Sequence, residues 1–147
     1  MHLRWHILRT NTKITKNTLE IIFADETVSI AYNQENAYLL IDFQAYEACR
    51  EVYQRILEDT LSFVGFKDAQ KIIFDQSKKS FFRKEDTQWA FYYWLPQLAK
   101  FLGSQAKLAV ILPPRLYFPL ERSSKTKYPF QNRAFTSFSE AEKWLKS

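Results

Sequence analysis

From residue 37 onward the chain alternates short, β-branched apolar runs with segments whose apolar residues recur at helical spacing. No other feature limits the fold as much. The runs fall at 37–43, 71–75, 107–112 and 133–136, with helix-periodic stretches between and after them. Strands that alternate with helices are joined by crossovers, and a crossover sets its two strands parallel. Upstream, 19–24 and 28–32 read as strands, and the polar cluster Asn33-Gln34-Glu35-Asn36 before 37–43 predicts an antiparallel hairpin. The pattern therefore predicts a single α/β domain with a mostly parallel sheet, an N-terminal antiparallel hairpin and crossover helices. At 147 residues the chain is long enough to bury one proper core, and no repeat or long linker divides it.

The first helix is expected over 45–63, with Tyr46, Cys49, Val52, Tyr53, Ile56 and Leu57 on its apolar face and Gly65 closing it. A second is expected to open at Asp86-Thr87, either of which offers a capping oxygen, and to end at Gly103 in a left-handed turn. Pro96 inside it removes one backbone donor and predicts a kink. Trp89, Tyr92, Tyr93 and Pro96 share helical spacing and read as a core-packing stripe. Residues 115–132 read as a long loop. At the end, Ser137 and Glu140 form a capping box ahead of a stripe of Phe138, Ala141, Trp144 and Leu145.

Composition removes several chemistries. Two glycines, Gly65 and Gly103, cannot write a Gly-rich phosphate cradle. One cysteine, Cys49, excludes an intramolecular disulfide and any multi-cysteine zinc site, and at its expected place it reads as a small buried hydrophobe. Both histidines, His2 and His6, lie in the first six residues, too far out for a triad and a weak pair for a metal. The net charge of +5 is uneven, because 1–66 is net acidic and 67–147 net basic. Anionic partners and a solvated lysine-rich surface both follow from such a balance. The N-terminus has no apolar stretch of signal-peptide length, and no run spans a bilayer. A cytoplasmic location is expected.

The order of elements resembles the SpoIIAA-like proteins, relatives of the STAS domain often named STAS/SEC14-like. The residues that carry it are a hairpin leading into Ala45-Tyr-Glu-Ala-Cys-Arg-Glu-Val52 and the strand Ile72-Ile-Phe-Asp75. A helix with Asp86-Thr-Gln-Trp89, Trp94-Leu-Pro96 and Leu102-Gly103 follows, then Leu108-Ala-Val-Ile-Leu-Pro113 and the ending Phe135-Thr-Ser-Phe-Ser-Glu-Ala-Glu-Lys-Trp-Leu145. The likeness covers 26–147 and leaves 1–25 as an added strand and extension. It implies a protein-interaction or ligand-binding module without a cofactor. The phosphorylatable Asp-Ser-Ser-Gly of the regulated antagonists is replaced here by Glu85-Asp86-Thr87-Gln88.

Three sites follow. Lys78, Lys79, Ser80, Arg83, Lys84 and Thr87 precede or open the second helix, where cations, hydroxyls and a helix dipole would receive an anionic or phosphorylated protein partner. In that segment one of Phe81 and Phe82 is expected to anchor to the core. Trp89, Tyr93 and Tyr117 are the expected walls of an aromatic pocket, the alternative being a carrier for a small apolar molecule or lipid. Asp42, Asp75 and Asp86 are the candidate carboxylates, two of them at strand ends where α/β domains place sites. An enzyme would need Asp42 and Asp75 to converge, and no spacing requires that, so a non-enzymatic module is expected. Nucleic acid is not an expected partner; a homodimer is compatible with the pattern.

Overall fold

A computed structural model describes residues 11–14, 17–44, 49–117 and 129–147. His2, Trp5, His6, Tyr46 and most of the loop expected over 115–132 lie outside the described residues. A mixed sheet of seven strands holds the described chain together: β1 (Asn11–Ile14), β2 (Asn17–Ala24), β3 (Val28–Asn33), β4 (Tyr38–Phe43), β5 (Lys71–Asp75), β6 (Lys107–Ile111) and β7 (Gln131–Phe135). The spatial order is the sequence order. Antiparallel ladders join β1 to β2, β2 to β3 and β3 to β4. Parallel ladders join β4 to β5, β5 to β6 and β6 to β7. The protein is therefore α/β.

Local chemistry sets the turns. Asp25 Oδ1 accepts from the Thr27 and Val28 amides at 2.7 and 2.9 Å and from Thr27 Oγ1 at 2.6 Å, bending the chain between β2 and β3. Asn33 Oδ1 accepts from the Asn36 amide at 2.9 Å, and Ala37 closes that hairpin with φ of 56°. β5 buries Ile72, Ile73 and Phe74 in succession, as a strand covered on both faces must.

One face of the sheet is covered by α1 (Arg50–Lys67) and by α2 (Lys84–Trp89) with its continuation, a widened π turn (Ala90–Trp94) and α3 (Leu95–Ala99). Crossovers of one hand that always step the same way put their helices on the same face. Among the described residues the other face carries α4 (Phe138–Lys146), which follows the last strand and turns back over β5, β6 and β7. The Glu140 amide donates to Ser137 Oγ at the start of α4, as the capping box requires. Its Ala141 and Leu145, with Phe138 and Trp144 beside them, pack on Tyr38, Ile73, Ala109 and Ile111.

Several local expectations are corrected. Among described residues α1 begins at Arg50, so Cys49 stands at its N-terminal boundary, exposed rather than buried on the apolar face. Gly65 lies within α1, and the helix ends instead at Asp68, which takes the left-handed conformation at φ 49° while the Ala69 amide donates back to Val64 O. The second helical segment opens at Lys84, two residues before Asp86, with Arg83 extended ahead of it and no side-chain cap. Gly103 has no positive φ; its amide donates to Gln70 Oε1 at 2.8 Å, so a side chain performs the termination. The kink expected at Pro96 is the π turn just upstream, in which the Leu95 amide reaches back to Ala90 O. Widening a turn is one way a helix accommodates a ring that would press on the carbonyl four residues earlier. Finally, β7 begins at Gln131, inside the segment read as loop.

Of the aromatic stripe expected to pack on the core, Trp89 does so while partly buried, but Tyr92 and Tyr93 face the other way. Tyr92 and Tyr93 are 67% and 63% exposed, while Phe91, Trp94, Leu95 and Leu98 pack on the core. At 100° per residue the two sets lie on opposite sides, and the set rich in leucine is the one buried. No helix among the described residues is long and apolar enough to cross a membrane.

Candidate ligand-binding site

The carboxyl ends of β4 and β5 place Asp42 and Asp75 side by side in register. Each is already engaged. Lys78 Nζ donates to Asp42 Oδ2 at 3.1 Å and Oδ1 at 3.3 Å, and to Gln44 Oε1 at 3.4 Å. Asp75 Oδ1 accepts from the Ser77 amide at 3.0 Å and from Ser77 Oγ at 2.6 Å, which turns the chain out of β5. Burial raises the Asp42 carboxyl above its ordinary range, the Asp75 charge adds to this, and Lys78 opposes it. Neither aspartate lines the apolar cavity described next, which opens on the opposite face of the sheet.

That cavity lies between the sheet and the π turn, with a volume of about 130 Å³. Phe74 of β5, Leu108 and Val110 of β6, and Leu112 form its floor. Tyr53 and Leu57 of α1 make one wall, and Ala90, Phe91 and Trp94 make the roof. Phe82 closes the side toward the loop 76–83 and is the ring anchored to the core, whereas Phe81 is exposed. Gln76, Thr87 and Asn132 are the polar residues of the lining, beside the aromatic Tyr53 and Trp94. The roof is fixed rather than loose: Trp94 Nε1 donates to Leu57 O at 2.6 Å, and the Trp94 ring meets Phe74 edge-on at 5.0 Å.

A much smaller polar niche adjoins the cavity and shares Tyr53, Phe82 and Thr87 with it. Lys79, Phe81, Arg83 and Asp86 complete its border, and its free room is about 10 Å³, the space of one water. Lys79 Nζ stands 4.9 Å from the Tyr53 ring, 5.4 Å from Phe43 and 5.6 Å from Phe82, a favourable setting for a cation over aromatic faces. Asp86 is 7% exposed; its Oδ1 has Arg50 Nε at 3.9 Å and accepts no hydrogen bond. Burial, and then the Asp86 charge, push the Tyr53 phenol well above its usual range.

The expected anion-binding residues are thus distributed over different tasks. Lys78 pairs with Asp42, Lys79 sits among three rings, and Arg83 lies 5.6 Å from the Phe81 ring. Thr87 Oγ1 donates to Arg83 O at 3.2 Å, while Ser80 and Lys84 are exposed. Of the expected pocket walls, Trp89 and Tyr93 border a separate open depression with Arg50 and Glu85, and Tyr117 is exposed. The helix is the expected one, but the opposite side of it faces the cavity. Sequence reading missed Tyr53, Leu57, Phe91, Trp94 and Val110 as site residues. One signal was available: Asp86, Ala90 and Trp94 recur at intervals of four, so a carboxylate stands at the head of a buried stripe. No protein-family model, no curated protein and no solved structure matches this chain.

Proposed function

We propose that this chain is a non-enzymatic, cytoplasmic binding domain of SpoIIAA-like fold that holds a compact apolar molecule between its sheet and the π turn. The sequential order of β4 to β7, with α1 crossing from β4 to β5 and the α2–α3 segment from β5 to β6, supports the fold assignment. The cavity carries the function: its floor, wall and roof are dominated by carbon, and Trp94 is held in place by its hydrogen bond to α1. An apolar space of about this size takes a ring the size of benzene. Five aromatic side chains line this partly open pocket, which gives it the apolar concave wall that small-molecule sites commonly have.

Toluene is a suitable first probe. Titration calorimetry should show saturable binding of one toluene per chain, with a matching rise in Tm. Val110→Phe, which fills the floor of the cavity, should remove that binding while the domain stays folded. Toluene heats that never saturate in the unaltered protein would overturn the reading.

A further inference from the structure

Resting on the ligand-binding reading above, we infer that the molecule is an aromatic ring with a straight, unbranched apolar tail, lying lengthwise along β6 with the tail toward Leu108. The first observation is the length of the lining. Leu108, Val110 and Leu112 are alternate residues along β6 and the step beyond it, where the Leu112 amide still donates to Phe135 O at 2.8 Å. At the rise of an extended strand they span roughly 13 Å. The roof has the same reach. It runs from Thr87 through Ala90, Phe91 and Trp94 to Leu95 along one side of the second helical segment, and eight helical steps cover roughly 12 Å.

Floor and roof run in opposite directions, because the helical segment returns the chain from the end of β5 to the start of the parallel β6. Thr87 therefore stands over the Leu112 end and Leu95 over the Leu108 end. The flanking strands give the same order. The Gln76 amide donates to Ile111 O beside Leu112, Phe74 is opposite Val110 midway, and Asn132 is opposite Leu108. A volume of about 130 Å³ drawn out between such ends is a slot along the strand, not a round hole.

The two ends of the slot differ. Leu95, Leu108 and Asn132 are buried, which closes one of them. Gln76, Phe82 and Thr87 at the other are only partly buried. A straight tail entering there can follow β6 to the closed end and exchange water for carbon along its whole length. A branched group with the same number of carbons is too wide and too short to do so.

The test compares n-butylbenzene with its isomer tert-butylbenzene, and both with toluene, by titration calorimetry on the full chain. The isomers carry the same carbons, so shape is what separates them. In the unaltered protein n-butylbenzene should bind at least about ten-fold more tightly than toluene, since each methylene taken out of water is worth about four-fold. The tert-butyl isomer should bind no more tightly than toluene. Leu108→Phe shortens the slot at its buried end, so it should bring n-butylbenzene down to the affinity of toluene and leave toluene binding intact. Leu95→Phe closes the same end from the roof and replaces that variant where it fails to fold. Equal affinities for the two isomers in the unaltered protein would overturn the slot and leave the cavity reading standing. A folded Leu108→Phe protein that keeps the full preference for n-butylbenzene would overturn the direction of the tail. Failure of all three probes to bind would overturn both readings.

Discussion

The two faces of the sheet are packed in different ways. Under α4 the centre of the contact is small and aliphatic, with Ala109, Ile73, Ile111, Ala141 and Leu145 all at most 1% exposed, and the rings of Tyr38, Phe135, Phe138 and Trp144 surround it. On the opposite face the sheet meets large rings, Phe74, Trp94, Phe91 and Phe82, and an irregular helix, and these leave about 130 Å³ unfilled. Ala109 and Val110 are consecutive residues of one strand, yet one points into the closed face and the other into the open one. Small side chains on a regular helix mesh completely, whereas bulky rings under a widened turn do not. The imperfectly filled side is where a binding site can exist.

That contrast is broken most directly by enlarging both neighbours. Ala109→Leu forces extra carbons against α4 and should cost about 2 kcal/mol, measured by urea unfolding. Val110→Phe adds more carbon yet should leave stability within about 1 kcal/mol, because space is waiting for it. A comparable loss at both positions would mean that the open face is as full as the closed one.

A second comparison uses pH. Among the described residues each face holds one buried phenol, Tyr38 against α4 and Tyr53 beside the cavity. Tyr38 OH donates to Glu142 Oε2 at 2.7 Å and accepts from Asn33 Nδ2 at 3.3 Å. Burial raises both phenols well above their usual range, with Glu142 contributing at Tyr38 and Asp86 at Tyr53. The folded state therefore keeps protons that the unfolded state releases above about pH 10. Their contribution to stability is fully present below that pH and is lost as pH rises beyond it. Unfolding curves recorded across that range should show a decline that Tyr38→Phe and Tyr53→Phe each make shallower. An unchanged slope in either variant would remove that tyrosine from the account.

The smallest effect is expected at Gly65. A Cβ there would stand 3.1 Å from the Phe101 ring, which is 45% exposed and free to yield on its outer side. Gly65→Ala should therefore keep most of the helix-propensity gain and stabilise the domain by about 0.5 kcal/mol in thermal unfolding. A lower Tm would show that the ring is held.

Strand identity was readable because each run satisfies its neighbours locally. Ile72-Ile73-Phe74 is apolar on both faces wherever it is placed in a parallel sheet, and Ser137 with Glu140 announces a helix start with backbone chemistry alone. The second helix was readable as a helix but not in its orientation. Two aromatic-bearing stripes run along it, and only the packing of Leu95 and Leu98 against the core decides which one turns inward. The cavity was out of reach for the same reason. Its lining joins Tyr53, Phe74, Phe91 and Val110 from four separate segments, and no spacing along the chain expresses their meeting. Asp86 looked like a cap because aspartate near a helix start ordinarily is one. The helix begins two residues earlier, which moves Asp86 off the cap position and onto the buried stripe.

Strict neighbour order in the sheet has a kinetic consequence. Every ladder joins strands that follow one another in the chain, so no pairing has to close a loop longer than a single crossover. Loop-closure entropy therefore stays low for a sheet that is half parallel, and contact order with it. The local hairpins of β2, β3 and β4 can form first and present an edge to which β5, β6 and β7 add in turn. On that route the floor of the cavity, built from β5 and β6, takes shape only after the hairpins already exist.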